Sequence, residues 1–408
     1  MNKTLYCAAF LIVLTASFQT GCRKKAPEAG TVAVSTATVS GIQEAPPAQA
    51  DPITQGLWWL YHQQYAKARE VFSSVAQADP QDPAGPFYKT ATDWWELAQD
   101  FDLKMPAVEK RFAADAEETV KRAQAILKKS TGNKRRSAEA HLYWGGAQGL
   151  QGRWLVTQSQ WMKAYSAGKE GHKHLKKALD IDPSLHDANL GLGIYDYYTD
   201  ILPGFMGALS KLVMRGDRKR GMQELHAAME KGGHSRVEAS IFLIEIYSHE
   251  EKQPEKALAL AEQLRQEFPQ SPAMNLSVIL MLNQLRRWTE MGKEAEDFLK
   301  KAEAQTPFYT QKEAIPGRYF AGLAAFMGRR DFHRARELLN PLIQEAPNSR
   351  SRWITFALLR RGQSYDAQGE RAKAKADYRK VLARPDVWKS HEDAKRYLEK
   401  PFKLKPAA

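Results

Sequence analysis

The chain has almost no cysteine. Two occur among 408 residues, Cys7 and Cys22, both close to the N-terminus. Neither a disulfide framework nor a structural zinc site can be built from them. Enzyme signatures are missing as well: there is no HExxH, no GxSxG and no glycine-rich phosphate loop. The close histidines His172 and His174 are two residues apart. On a helix that spacing turns them to different faces, which is poor metal geometry, so both are expected on the surface. The apolar run Leu5–Phe18 is shorter than the ~20 residues a membrane span needs. β-rich runs are scarce throughout. No cofactor, no metal and no catalytic residue is expected, and the chain is read as a non-enzyme. A carboxylate pair hidden inside an (α/α) enzyme fold is the remaining catalytic alternative.

What the chain does have is helix-forming sequence. From residue 53 onward Ala, Leu, Glu, Lys, Arg and Gln dominate, broken by Pro, Gly or Asp-Pro where helices stop. The stretch Gly56–Pro80 sets small residues at Gly56 and Ala68, large ones at Trp59, Tyr65 and Phe72, and ends on Asp79-Pro80. Gly362, Tyr365, Ala374, Tyr378 and Val381 repeat the spacing of Gly56, Trp59, Ala68, Phe72 and Val75. Small residues belong where two helices cross closely, and large ones fill the gaps beside them. Looser copies of a second helix occur at Leu175–Pro183, Ala257–Pro269 and Phe332–Pro347. Residues 87–130 and 272–304 pair helically without the small-residue pattern.

This order of residues resembles the tetratricopeptide repeat, a helix–turn–helix unit of about 34 residues. The resemblance implies an all-α solenoid of about eight helix pairs over residues 53–400, with 387–400 as a solvating end helix and 401–408 as a tail. Such units bury their apolar faces only by stacking on neighbours. The family implies a protein–protein interaction scaffold that holds a partner segment in its concave groove. Leu57, Leu60 and Tyr61 fall on groove positions of the first unit, and Asn189, Asp196 and Tyr197 on those of a later one. Tyr195 aligns with packing, Trp59 with the core, and Trp58 with an anchor for a neighbouring helix. The Lys, Arg and Asn set of the family's peptide-carboxylate clamp is missing.

Two stretches read as insertions, Gly152–Gly168 and Thr199–Asp217, and extra residues in a repeat commonly map to the binding face. Within the second, Leu202, Phe205 and Met206 belong to an apolar segment followed by Arg215 and Arg218-Lys219-Arg220. That segment fits partner contact, an interfacial membrane helix, or packing over the solenoid itself.

The first residues resemble a bacterial lipoprotein signal. Met1–Lys3 is positive, Leu5–Phe18 apolar, and Thr20-Gly21 precede Cys22, the expected lipidation site. The run also fits an unlipidated signal peptide or an uncleaved anchor. Residues 23–52 read as a flexible tether. An exported protein on the periplasmic face of the envelope, favouring the outer membrane, is therefore expected. The net charge of +13 suits acidic partners. Residues 350–405 carry 16 Lys and Arg against 7 Asp and Glu. Anionic lipid or an acidic polymer is the expected contact there, and nucleic acid is not.

Overall fold

The computed structural model describes residues 44–99, 104–129, 132–201, 216–344 and 351–404. Among them the chain forms helices and no strand: an all-α superhelix of stacked hairpins. The first two hairpins are α1 (Pro52–Tyr61) with α2 (Tyr65–Ala78), and α3 (Ala84–Gln99) with α4 (Pro106–Lys128). The third is α5 (Lys134–Thr157) with α6 (Trp161–Ile181), the fourth α7 (Ala188–Asp200) with α8 (Arg218–Lys231). Then come α9 (Arg236–Glu245) with α10 (Pro254–Glu267), and α11 (Pro272–Leu285) with α12 (Trp288–Glu303). The last two are α13 (Gln311–Ala324) with α14 (Phe332–Gln344), and α15 (Arg352–Ala367) with α16 (Arg371–Leu382). Helix α17 (Ser390–Glu399) caps the stack.

Local chemistry sets the boundaries. Asp51 accepts from the backbone of Ile53 and Thr54 and starts α1, with Pro52 in the first turn. Thr310 and Glu313 form a reciprocal capping box on α13. The turns inside hairpins are short, and each of several uses one left-handed residue: Gln63, Ser159, Lys252, Arg286, Arg330 and Gly369. Two first helices, α9 and α13, end in a π turn, at Ile246–Glu250 and Ala325–Arg329.

The small-residue pattern does the work expected of it. A Cβ on Gly56 would lie 2.2 Å from the Phe72 ring, and one on Gly362 would lie 2.6 Å from the Tyr378 ring. Ala68 and Ala374 are fully buried at the same crossings. One expectation is corrected: Gly152–Gly168 is not an insertion between helices. Helix α5 runs through to Thr157 and α6 begins at Trp161, so both helices are simply longer than their neighbours. The expected tail is also partly ordered. Phe402 packs on Phe326 and Tyr397, and its N–H donates to Asp366.

The superhelix closes on itself. The Ser271 hydroxyl, at the start of α11, donates to the Tyr61 carbonyl at the end of α1. Tyr61 packs on Phe268, while Trp58 and His62 pack on Phe308. Trp95 Nε1 donates to Glu238 Oε1 at 2.6 Å, joining α3 to α9. The first hairpin is thereby sealed against the turns around the sixth, and the first five hairpins surround a hollow.

Candidate functional site

The hollow is the concave face of hairpins one to five. Its volume is about 430 Å³, and α1, α3, α5, α7 and α9, the first helix of each pair, supply most of the wall with help from α6. Ligand pockets commonly span ~300–1,000 Å³, so it is the size of a single-ligand site. The lining is mostly carbon.

Glycine creates much of the space. Gly145, Gly146, Gly149 and Gly152 of α5 and Gly168 and Gly171 of α6 border the cavity. Some of these permit close crossing: Cβ atoms at Gly145 and Gly146 would lie 2.6 Å from Leu175 and Phe87. Gly149 differs, because a Cβ there would meet nothing within 4 Å among the described residues.

One cation stands in this apolar wall. Arg153 lies one turn beyond Gly149, over the Trp94 ring at 4.2 Å and the Phe242 ring at 4.8 Å. Its Nη2 is sealed from solvent and has no hydrogen-bond partner among the described residues. Burial pulls the guanidinium down to about 10, against the attraction of Glu238 and Glu245. The same burial pushes Glu245 up to about 8 and raises Glu238, both opposed by Arg153. Three ionisable groups therefore share a region of low dielectric, where their charges are felt strongly.

A second polar cluster lies behind α7. Asp196 is buried and bonded to Arg220 of α8, with His172 Nε2 3.8 Å away. Burial and Asp196 together hold Glu224 up at about 8. Among the described residues, no group of three or more His, Cys, Asp or Glu gathers as a metal site would require.

The expected contact residues divide. Leu57 and Leu60 line the cavity. Tyr61 and Tyr197 are core side chains, 3% and 0% exposed, and Asp196 is 1% exposed. Tyr197 donates to Glu251 at 2.8 Å, and Asp196 is occupied by Arg220. These three are corrected to structural roles. Tyr195, assigned to packing, lines the cavity instead, its ring 4.4 Å from that of His172. Asn189 is half-buried and donates to the His186 carbonyl. Trp59, expected in the core, is half-buried under Lys67, whereas Trp58 is buried against Phe308. Trp94 and Trp95 are both buried, and both line the cavity.

His174 is not exposed. It is 5% exposed, stacks on Trp144, and meets His141 Nδ1 to Nδ1 at 2.7 Å. The basic C-terminal stretch is partly internal too. Arg361 makes two bonds to Asp377, and Arg371 bridges Asp366 and the Leu398 carbonyl. Cys22, Leu202, Phe205 and Met206 lie outside the described residues. Sequence reasoning missed Gly149 and Arg153. Their signal was a glycine repeated through a helix with one arginine on the same face.

Residues 356–386 match the family described as tetratricopeptide repeat. The match spans α15, α16 and the turn between them, the copy anchored by Gly362 and Tyr378. Among solved structures, the crystal structure of the P58(IPK) TPR domain is 13% identical; the alignment covers 86% of this chain and 98% of that one, with a TM-score of 0.26. No curated protein matches the chain.

Proposed function

We propose that this repeat protein is a non-enzymatic interaction scaffold of the bacterial cell envelope, held to the membrane by lipidated Cys22. Its concave face takes an apolar segment of an envelope protein. The observation that carries this reading is the mostly carbon hollow walled by the first helices of five successive hairpins. A repeat array presents surface at its concave side, and a rigid frame lowers the entropy cost of binding there. Leu57 and Leu60 lie on the wall, and Met162, 72% exposed at the tip of the longest hairpin, stands at its edge. The segment containing Leu202, Phe205 and Met206 follows α7 in the sequence and is proposed as a further partner contact.

The tether of residues 23–52 keeps this face near the membrane, with the outer membrane as the favoured anchor. Exposed Lys and Arg add contact with anionic lipid or acidic polymer. The test is photo-crosslinking in cells from position 162, with the captured species identified by mass spectrometry. One dominant envelope protein supports the scaffold. A capture profile no different from that of a probe at exposed Lys121 removes it. Cys22→Ser is expected to move the chain from the membrane fraction to the soluble one, and an unchanged distribution refutes lipid anchoring.

A further inference from the structure

We infer that the cavity is a binding site for one fatty-acyl chain, laid along the glycine face of α5, with an oxygen acceptor at its head bonded to Arg153. This rests on reading the concave face as the binding face, and names the chemistry that enters its deepest part.

The first argument is a helix that sacrifices stability for space. A glycine in a helix interior loses more entropy on folding than any other residue. Gly145 and Gly146 return that loss as close packing, since a side chain at either would strike Leu175 or Phe87. Gly149 returns nothing of the kind: the place of its missing side chain is open space. An unfilled hollow forfeits dispersion contacts on every wall atom. Both deficits are removed if the space is occupied.

The second argument is Arg153. It faces the same hollow one helical turn further on, held between Trp94 and Phe242. Glu238 and Glu245 stand close enough to act on its charge. What it lacks is a hydrogen-bond acceptor, since Nη2 is buried without one. A buried unmet N–H is costly, and an incoming carbonyl or carboxyl oxygen would meet the need of this guanidinium after a small turn of its side chain.

The third argument is what the wall does not offer. A peptide backbone laid in the depth of the hollow would bring N–H and C=O groups requiring partners at every residue, so a bound protein segment offers apolar side chains at the rim and keeps its backbone outside. A sugar or nucleotide would need polar groups along its whole length. The wall is mostly carbon, so each such group would be desolvated without compensation. A hydrocarbon chain needs no partners and gains from each buried methylene. Trp161 and Met162 at the hairpin tip add apolar surface at the rim.

The test uses the full-length chain in a bile-salt detergent, which carries no acyl chain. The probe is a fluorescent polyene fatty acid, displaced by oleic acid in one arm and by monoolein in the other. Saturable one-to-one binding is expected, and displacement by one or both tells a carboxyl head from an ester head. Gly149→Leu fills the hollow and is expected to weaken binding at least tenfold with helicity retained. Arg153→Met keeps the volume and is expected to weaken it roughly tenfold, as the loss of a hydrogen bond to a charged group does. Should Gly149→Leu fail to fold, Ala91→Leu fills the same cavity from α3. No saturable binding by the wild-type chain overturns the inference, as does undiminished binding in a folded, cavity-filled variant. Protein capture from position 162 is read separately, so loss of acyl binding leaves the scaffold standing, and loss of the captured partner leaves the acyl site standing.

Discussion

The third hairpin and the sixth to eighth follow one plan with opposite fillings. Buried positions of α5 are Ala138, Ala140, Gly145, Ala147 and Gly152, all small. Those of α11 include Met274, Val278, Ile279, Leu280, Met281 and Leu282, and α13 buries Tyr319 and Phe320. In the C-terminal hairpins Phe326 is fully buried, its ring packed on Phe332 and Phe402. The third hairpin instead borders open space. One fold thus holds both kinds of unit, some filled with large side chains and one lined with small residues beside a hollow.

The largest expected difference between the two regions is in truncation cost. Phe326→Ala should destabilise the chain by about 3–5 kcal/mol, since it opens a void in close-packed surroundings. Val156→Ala, on the cavity wall, should cost under ~1 kcal/mol because the space beside it is already empty. Urea denaturation followed by circular dichroism measures both, and equal costs would dissolve the distinction.

Glycine gives the second contrast, and here the sign reverses. Gly362→Ala drives a methyl into the Tyr378 ring and should cost about 1–3 kcal/mol. Gly149→Ala meets nothing, and the gain in helix propensity should raise stability by about 0.5–1 kcal/mol. A loss at position 149 would mean the cavity is closed in solution.

Acid should act on the contact between α5 and α6 through His141 and His174. Burial lowers His141 to about 4, helped by His174, Lys177 and Lys173, and burial lowers His174 against its bond to Glu170. Both folded pKa values lie below the ordinary histidine value, so the unfolded chain takes up protons first. Stability from this pair is complete above pH ~6.5 and is lost as pH falls toward 4. The Nδ1-to-Nδ1 contact cannot survive when both nitrogens carry protons. Urea midpoints at pH 7.5 and 5 should differ, and His141→Gln should flatten the difference. Thr310→Ala removes the capping box of α13 and should cost about 1 kcal/mol.

What was legible in the sequence was what is local in the chain. Gly56 meets Phe72 and Gly362 meets Tyr378, so each pairing lies within one unit and leaves a readable spacing. Eight hairpins and an end helix follow from that spacing and from the stop signals. The groove of α7 was misread because its small residues, Gly191 and Gly193, face Leu175 and Leu225 on opposite sides. No single register separates wall from core there, and Tyr195 and Tyr197 traded roles. The cavity was illegible for another reason. It is made by side chains that are absent, and by closure between Tyr61 and Ser271, which no local pattern encodes.

That closure sets an order of events during synthesis. An open repeat array can fold from its first unit outward, each new hairpin completing the last. Here α1 leaves the ribosome with Trp58, Tyr61 and His62 uncovered, and their partners Phe268, Ser271 and Phe308 follow more than two hundred residues later. Closing so long a loop adds its entropy cost after the intermediate hairpins have formed. The oldest part of the nascent chain is therefore among the last to mature. A chain interrupted before residue 271 would display an aromatic edge that the finished protein hides, a mark by which quality control could tell the two apart.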